Sequence, residues 1–575
     1  MTDYEIKELY EQMEIHLISS MKRNLKRHLK DEKDAGFKYT QWQAEKIKEL
    51  KRYQRENQDI IGGATSSLSK SVSSHLKREL KQGALSAINF HNRVSEEKVR
   101  ADKLMNKSFF KTNDRKVNAL IKSVNNDLKK ANTGALRMIN DQYRQVIHRS
   151  AFFAANGVMT EKQAIDMANK DFLARGLNCI EYKNGRRVNI ASYAEMAVRT
   201  ASLRAHLMGE GDFRKSIGRT LVQATSHGGA CPICQKWEKH IFIDDVYSGG
   251  KKGDGPYMLL SDAMDQGFLH PNCKDGLITY YPELEDIEAE YANDEENQEI
   301  QEKINYNDRN IKKYNRLTNG LIDKSNIDNA ELSKESYKEK QNMLYSKKWG
   351  IDSAFIDDLD ENVIKEIDNS VQYNLNKYPE LKKKIKGVGS IQSKNSHKFE
   401  EIKQIYYERL KENIPSIDET SLERLSTKYA KEQLPRASKN VYAISMNKHK
   451  FNLDGIYVHN KYGKDYSLFI KCINKDVKTK FHPIGTNSIK SIIDHEFGHQ
   501  LDNLLDIRNN TELLNLYKKL SKNDIYLKVS KYANQNIAEF IAECYSEYVN
   551  NPNCKSIARK VGAIIDNEYI KRFKK

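Results

Sequence analysis

Nowhere in the chain do about 18 apolar residues follow one another, so no segment reads as a membrane-spanning helix. The first residues, Met1-Thr2-Asp3-Tyr4-Glu5, lack the basic and apolar regions of a secretory signal. Cysteine is sparse and odd in number, seven in 575 residues, which argues against a disulfide framework and fits assembly in a reducing compartment. Only nine prolines interrupt the chain, and no Gly/Ser tract marks a linker. With 38% hydrophobic and 30% charged residues and a mean hydropathy of −0.77, the composition suits long helices that each bury one stripe rather than a single thick core.

The charge balance is basic, +17 at pH 7 with a pI near 9.1, so the surface would tolerate a polyanion such as DNA. No arginine-rich tail or nucleic-acid motif accompanies it. Lysine is spread along polar helix faces, and a solvated lysine-rich surface explains the same charge.

Residues 1 to about 150 read as almost wholly helical. Ile6, Tyr10, Met13, Leu17, Met21, Leu25 and Leu29 recur at three and four residue spacing, the mark of a long helix burying one side. Val117, Leu120, Ile121, Val124 and Leu128 give a second stretch, and Ile61-Gly62-Gly63-Ala64 between them is expected to turn the chain. Nothing in this part carries chemistry, and such a segment holds a partner more readily than a substrate.

A helix is expected from Ser192 to about Gly209-Glu210-Gly211, followed by Cys231-Pro232-Ile233-Cys234 and Leu269-His270-Pro271-Asn272-Cys273. Three thiolates and an imidazole, Cys231, Cys234, His270 and Cys273, suit the closed tetrahedral site of a structural zinc, with His227 as a spare ligand. Two buried thiols or a redox pair are the other readings of the CxxC.

The strongest chemical signal is Asp494-His495-Glu496-Phe497-Gly498-His499-Gln500, an HExxH pattern on an amphipathic helix whose Ile489, Ile493, Phe497 and Leu501 form the buried side. His495 and His499, one turn apart, can ligate one zinc ion, and Glu496 can act as general base without being a ligand. A catalytic zinc needs a third protein ligand, and Glu539 on a second helical pattern supplies one, with Glu543 one turn later to orient an imidazole. A helix with two surface histidines near acidic residues is the plain alternative. Before this motif, Asn440–Ile444, Gly455–His459 and Tyr466–Ile470 are expected as strands, and helices around Phe399–Leu410 and Leu422–Gln433. The edge of such a sheet could pair with an extended peptide. His459 and His482 are isolated and read as structural or solvated.

HEFGHQLD followed by Tyr532 and Glu539-Phe540-Ile541-Ala542-Glu543 resembles the gluzincin domain of the anthrax lethal factor type. The resemblance implies a zinc endopeptidase with His495, His499 and Glu539 as ligands, Glu496 as base and Tyr532 as donor to the oxyanion. SYAEMAVRT, ACPICQKW and FLHPNCKDGLITYYPEL resemble the phage minor capsid protein type 2 family, relatives of the Mu-type head morphogenesis proteins. That implies a head protein in few copies, near the portal, in contact with portal and capsid proteins. Lys274-Asp275 departs from the basic-and-His or basic-and-Cys pair common there.

The expected organisation is a mainly α module over 1–348, with a small α+β Cys/His subdomain within 227–275 and a helical arm over 285–348. A connector over 349–375 and an α+β zincin-like metallopeptidase domain over 376–575 follow. The expected protein is a virion component assembled in the bacterial cytoplasm, whose C-terminal domain takes zinc, cleaves a peptide or protein substrate and acts as a toxin or effector delivered into a host cell. A purely structural head protein with an inactive zincin domain, and a maturation protease acting on head proteins, are the alternatives.

Overall fold

The computed structural model describes residues 3–35, 39–104, 111–155, 159–225, 231–271, 273, 275–283, 295–436, 438, 440–447, 449 and 451–574. They fall into two compact units, one of residues 1–299 and 309–335, the other of 300–308 and 336–575. The chain is largely helical with small sheets, and among the described residues no helix is long and apolar enough to cross a membrane.

Long helices dominate the first unit: Asp3–Ala35, Tyr39–Thr65, Leu68–Val94, Lys111–Ala155, Glu161–Arg175 and Ile190–Ser216. Ile6, Tyr10, Met13, Leu17, Met21 and Leu25 are all buried, joined by Val117, Val124 and Leu128, so burial of one stripe per helix drives this core. Gly62-Gly63 does not turn the chain. The helix runs on to Thr65, and the turn comes at Ser66-Ser67, where Thr65 Oγ1 donates to the Ile61 carbonyl (2.7 Å) and Ser66 Oγ to that of Gly63 (3.1 Å). Nor do Gly209 and Gly211 end the Ile190–Ser216 helix. A Cβ on Gly209 would lie 1.9 Å from the Leu80 carbonyl oxygen, and one on Gly83 would lie 1.9 Å from that of His206. Glycine is present there because two helices touch backbone to backbone.

A four-stranded sheet in this unit, β1 (Leu221–Ala224), β2 (Ile241–Ile243), β3 (Met258–Leu259) and β4 (Leu277–Thr279), has the order β3-β2-β1-β4. Arg214, fully buried, reaches Asp244 through Nη2 (3.0 Å) and Nε (3.3 Å), and Asp244 also accepts from the Tyr247 amide (2.8 Å). Within the arm, helices Glu295–Gly320 and Lys324–Trp349 are formed, and residues 284–294 lie outside the described residues.

The second unit packs helices on both faces of a mixed sheet, β5 (Ser353–Phe355), β6 (Gly387–Ser390), β7 (Ala443–Met446) and β8 (Gly455–Val458), ordered β5-β6-β8-β7. β5, β6 and β8 are parallel, and the edge strand β7 runs antiparallel to β8. Alternation decides the faces: Ala354, Val388, Ile456 and Val458 join the main core with the HExxH helix (Ile489–Leu505), while Phe355 and Tyr457 form a small cluster with Ile391 on the other face. Residues 349–375, expected as a connector, contribute β5 and most of the helix Glu361–Lys377, which packs on the HExxH helix. Tyr466–Ile470, expected as a strand, opens the helix Tyr466–Lys478. Asp465 caps it by accepting from the Leu468 amide (2.8 Å), and Phe469 and Ile473, four apart, are buried.

Lys394 is fully buried under β8, its Nζ 4.3 Å from the centre of the Tyr457 ring and 3.6 Å from Met446 Sδ. Burial lowers its pKa from 10.5 to about 7. The unfolded chain therefore binds more protons between those values, so this lysine's cost is full below about pH 7 and fades as pH rises toward 10.5. Lys394→Met is expected to stabilise the unit by about 2–4 kcal/mol at pH 7 and by less than about 1 kcal/mol at pH 10. Denaturant unfolding of both proteins at the two pH values checks this.

Candidate metal centre

The HExxH helix begins at a capping box, Ser488 accepting from the Ser491 amide and Ser491 from that of Ser488. Its companion, the helix Ile537–Asn550, is capped by Asn536, which accepts from the Glu539 amide at 3.0 Å and so fixes the first turn where Glu539 stands. The two helices approach closely because Gly498 has no side chain: a Cβ there would sit 2.8 Å from Ala542 Cα. Asp494, fully buried, holds the assembly together. It accepts from Ser370 Oγ (2.5 Å), Asn374 Nδ2 (2.7 Å), Lys490 Nζ (2.6 Å) and Asn550 Nδ2 (2.9 Å), joining three helices at the residue before His495.

This packing brings His495, His499 and Glu539 together, with one donor atom of each within 4.8 Å of the others. Glu539 Oε2 lies 3.1 Å from His495 Nε2 and 3.4 Å from His499 Nε2. A tetrahedral zinc with bonds of about 2.0–2.2 Å needs donors about 3.3–3.6 Å apart, so two imidazoles and a carboxylate at these spacings fit the ion and leave a fourth position free of protein ligands. Burial raises the Glu539 pKa, but hydrogen bonds from His495 and His499 outweigh it and hold the carboxyl well below its usual range. Burial likewise depresses His495, and the Glu539 and Glu543 carboxylates more than reverse this. A cation placed among these groups would replace the protons they compete for.

Glu496 is 7% exposed, beside the donors but not among them, and burial raises its pKa. Tyr532 places its ring 5.7 Å from that of His495. The Tyr532 segment is held by backbone bonds, Lys531 N to Lys480 O (2.9 Å) and Tyr532 N to Phe481 O (3.1 Å), with the Tyr532 ring tilted against that of Phe481.

Behind His495 stands Glu543, whose Oε1 lies 2.8 Å from His495 Nδ1, an ion-pair distance although the angle is poor for a hydrogen bond. Glu543 is also bonded by Ser530 Oγ (2.7 Å) and His482 Nδ1 (2.9 Å). His482, read from the sequence as structural or solvated, is buried against the site rather than solvated, and no periodicity or spacing marks it in the sequence. His459 lies apart from this centre and caps the short helix Asn460–Gly463. Gln500, just past the motif, donates to Ser445 Oγ (2.8 Å) and the Met446 carbonyl (3.1 Å), fixing the edge strand β7 beside the HExxH helix.

The first unit holds the second candidate centre. Cys231 Sγ lies 3.0 Å from His270 Nε2, Cys234 Sγ 3.3 Å from Cys273 Sγ, and Cys273 Sγ 3.0 Å from Asp275 Oδ2. The donors form two overlapping triplets, Cys231-Cys234-His270 and Cys234-Cys273-Asp275. His270 draws the Cys231 thiol down to about 7, whereas burial pushes Cys273 up to about 11 and Cys234 higher still. The cysteines are all free, and Cys234 contacts Cys273 across the loop. Asp275 was not among the expected ligands, and His227 and Lys274 lie outside the described residues.

Fold and donor sets define a two-part protein: a long-helix module with a Cys/His cluster, and a helical unit on a small mixed sheet with a His-His-Glu cluster. The family model for phage minor capsid protein 2 matches residues 3–346, more than half of the chain. The chain belongs to the phage minor capsid protein 2 family. The HExxH helix lies beyond the matched residues. Neither a curated protein nor a solved structure matches the chain.

Proposed function

We propose that this minor capsid protein carries, beyond its capsid module, a zinc-dependent metalloendopeptidase of zincin type. The observation that carries the reading is the convergence of His495, His499 and Glu539 around one point with buried Glu496 beside them. When bound, zinc would supply a Lewis acid that polarises a peptide carbonyl and acidifies water. Glu496 would take the proton of the attacking water and return it to the leaving amine. Tyr532 would donate its phenolic hydrogen to the oxyanion. The edge strand β7, fixed by Gln500, offers main-chain groups to an extended peptide.

The capsid match ends at residue 346 and the metal centre lies outside it, which favours an added activity over a role in building the head. The substrate would then be a host protein met after delivery, with the first unit anchoring the chain in the virion near portal and capsid proteins. The Cys/His cluster would hold a second, structural zinc through Cys231, Cys234, His270 and Cys273, with Asp275 beside Cys273. Basic surface would tolerate the packaged DNA.

Zinc content of the full chain tests the reading. Glu539→Ala is expected to lose about one zinc per chain while the cysteine cluster keeps its own, and to lose zinc-dependent cleavage of an unfolded protein mixture. Unchanged zinc content in that variant would remove the site. Capsid proteins acquiring new termini only when Glu496 is intact would move the activity to head maturation.

A further inference from the structure

His482 lies in the loop after the Tyr466–Lys478 helix, outside both helices that carry the proposed centre. It is 7% exposed, and its Nδ1 lies 2.9 Å from Glu543 Oε1. The same oxygen lies 2.8 Å from His495 Nδ1, so one buried carboxylate faces two imidazoles, while its other oxygen accepts from Ser530 Oγ at 2.7 Å. The ring of His482 stands edge-on to that of Tyr532, centres 5.6 Å apart at 65°, and packs against Phe481 at 5.2 Å. The backbone bonds from Lys531 and Tyr532 to Lys480 and Phe481 tie the two loops together beside it.

We propose that His482 is a positioning residue of the metal centre, holding Glu543 in the rotamer that orients His495 and backing the ring of Tyr532. The inference rests on the metallopeptidase reading. A ligating imidazole must present one nitrogen to the metal and donate from the other. His495 Nε2 faces Glu539 and His499, so Nδ1 is the nitrogen left to donate, and Glu543 is the acceptor beside it. Ser530 alone fixes one oxygen of that carboxylate and leaves it free to swing about this contact. His482, arriving from a different loop, fixes the other. The same imidazole touches Tyr532, so one side chain sets both the ligand and the proposed oxyanion donor.

A space-filling histidine would be replaced equally well by any side chain of its size, and that separates the two roles. His482→Phe keeps the bulk and removes the donor; His482→Asn places an amide N–H near the position of Nδ1. Metal affinity is measured on the full chain by chelator competition. Cobalt substitution separates the two centres, since thiolate ligands give a charge-transfer absorption that a His-His-Glu site lacks. Expected is a loss of about 10–100-fold in affinity at the thiolate-free site for His482→Phe, most of it recovered by His482→Asn, with the thiolate absorption unchanged. Wild-type affinity in His482→Phe, or equal weakening in both variants, overturns the proposal. A wild-type chain with no thiolate-free cobalt site sensitive to Glu539→Ala removes the metal reading itself and this inference with it, a result distinct from the other two.

Discussion

Changing Glu496 to Gln is expected to leave the zinc content of the protein unchanged and to lower peptide-bond cleavage by about 10²–10⁴-fold. The side chain lies beside the His495-His499-Glu539 cluster without belonging to it, so an isosteric amide costs no ligand. What is lost is the capacity to accept a proton. Burial raises the pKa of Glu496, which moves a carboxylate toward the range where it can both take a proton from water and pass it on. Zinc analysis and zinc-dependent cleavage of an unfolded substrate, measured side by side, check the two halves. Equal cleavage by the variant removes Glu496 from the mechanism, and a fall in zinc content makes it part of the metal site instead.

The largest expected effect on stability comes from the residue before the motif. Asp494→Ala should destabilise the second unit by about 3–5 kcal/mol, the range for removing one partner of a buried ionic network. The variant takes the shared acceptor from Ser370, Asn374 and Asn550 and the counter-charge from the Lys490 ammonium, which all point at the lost carboxylate. Asp494→Asn keeps one acceptor oxygen and should cost markedly less. Hydrogen exchange across residues 489–505 gives the readout, because that helix is joined through Asp494 to Glu361–Lys377 and Ile537–Asn550. Unchanged protection in the alanine variant would show that apolar packing alone seats the helix. The network also means that a fragment beginning at residue 376 would lack Ser370 and Asn374, so the full chain is the right object for metal analysis.

Helix stripes in the first unit were legible because burial of one face leaves a period of three to four residues, as Ile6 to Leu25 show. Less legible was the region before the HExxH helix. β5 and β6 are only three and four residues long, and Gly387-Val388-Gly389-Ser390 reads as a loop until neighbouring strands pair with it. Tyr466–Ile470 is apolar and aromatic enough to suggest a strand, and the cap at Asp465 with the longer period through Ile473 makes it a helix. Gly209 looks like a helix end in sequence because the contact that needs it lies on another helix.

The sequence by itself determined which donor groups the two candidate clusters offer: the HExxH histidines one turn apart, Glu539 and Glu543 one turn apart, and the Cys/His pairs, since each spacing lies within one helix turn or one short loop. Tertiary structure alone decided what surrounds them. Asp494 bound by donors from the helices Glu361–Lys377 and Ile537–Asn550, and His482 sharing Glu543 with His495, join residues that belong to separate elements. Local periodicity carries no signal for such contacts, because they exist only after separate elements have packed.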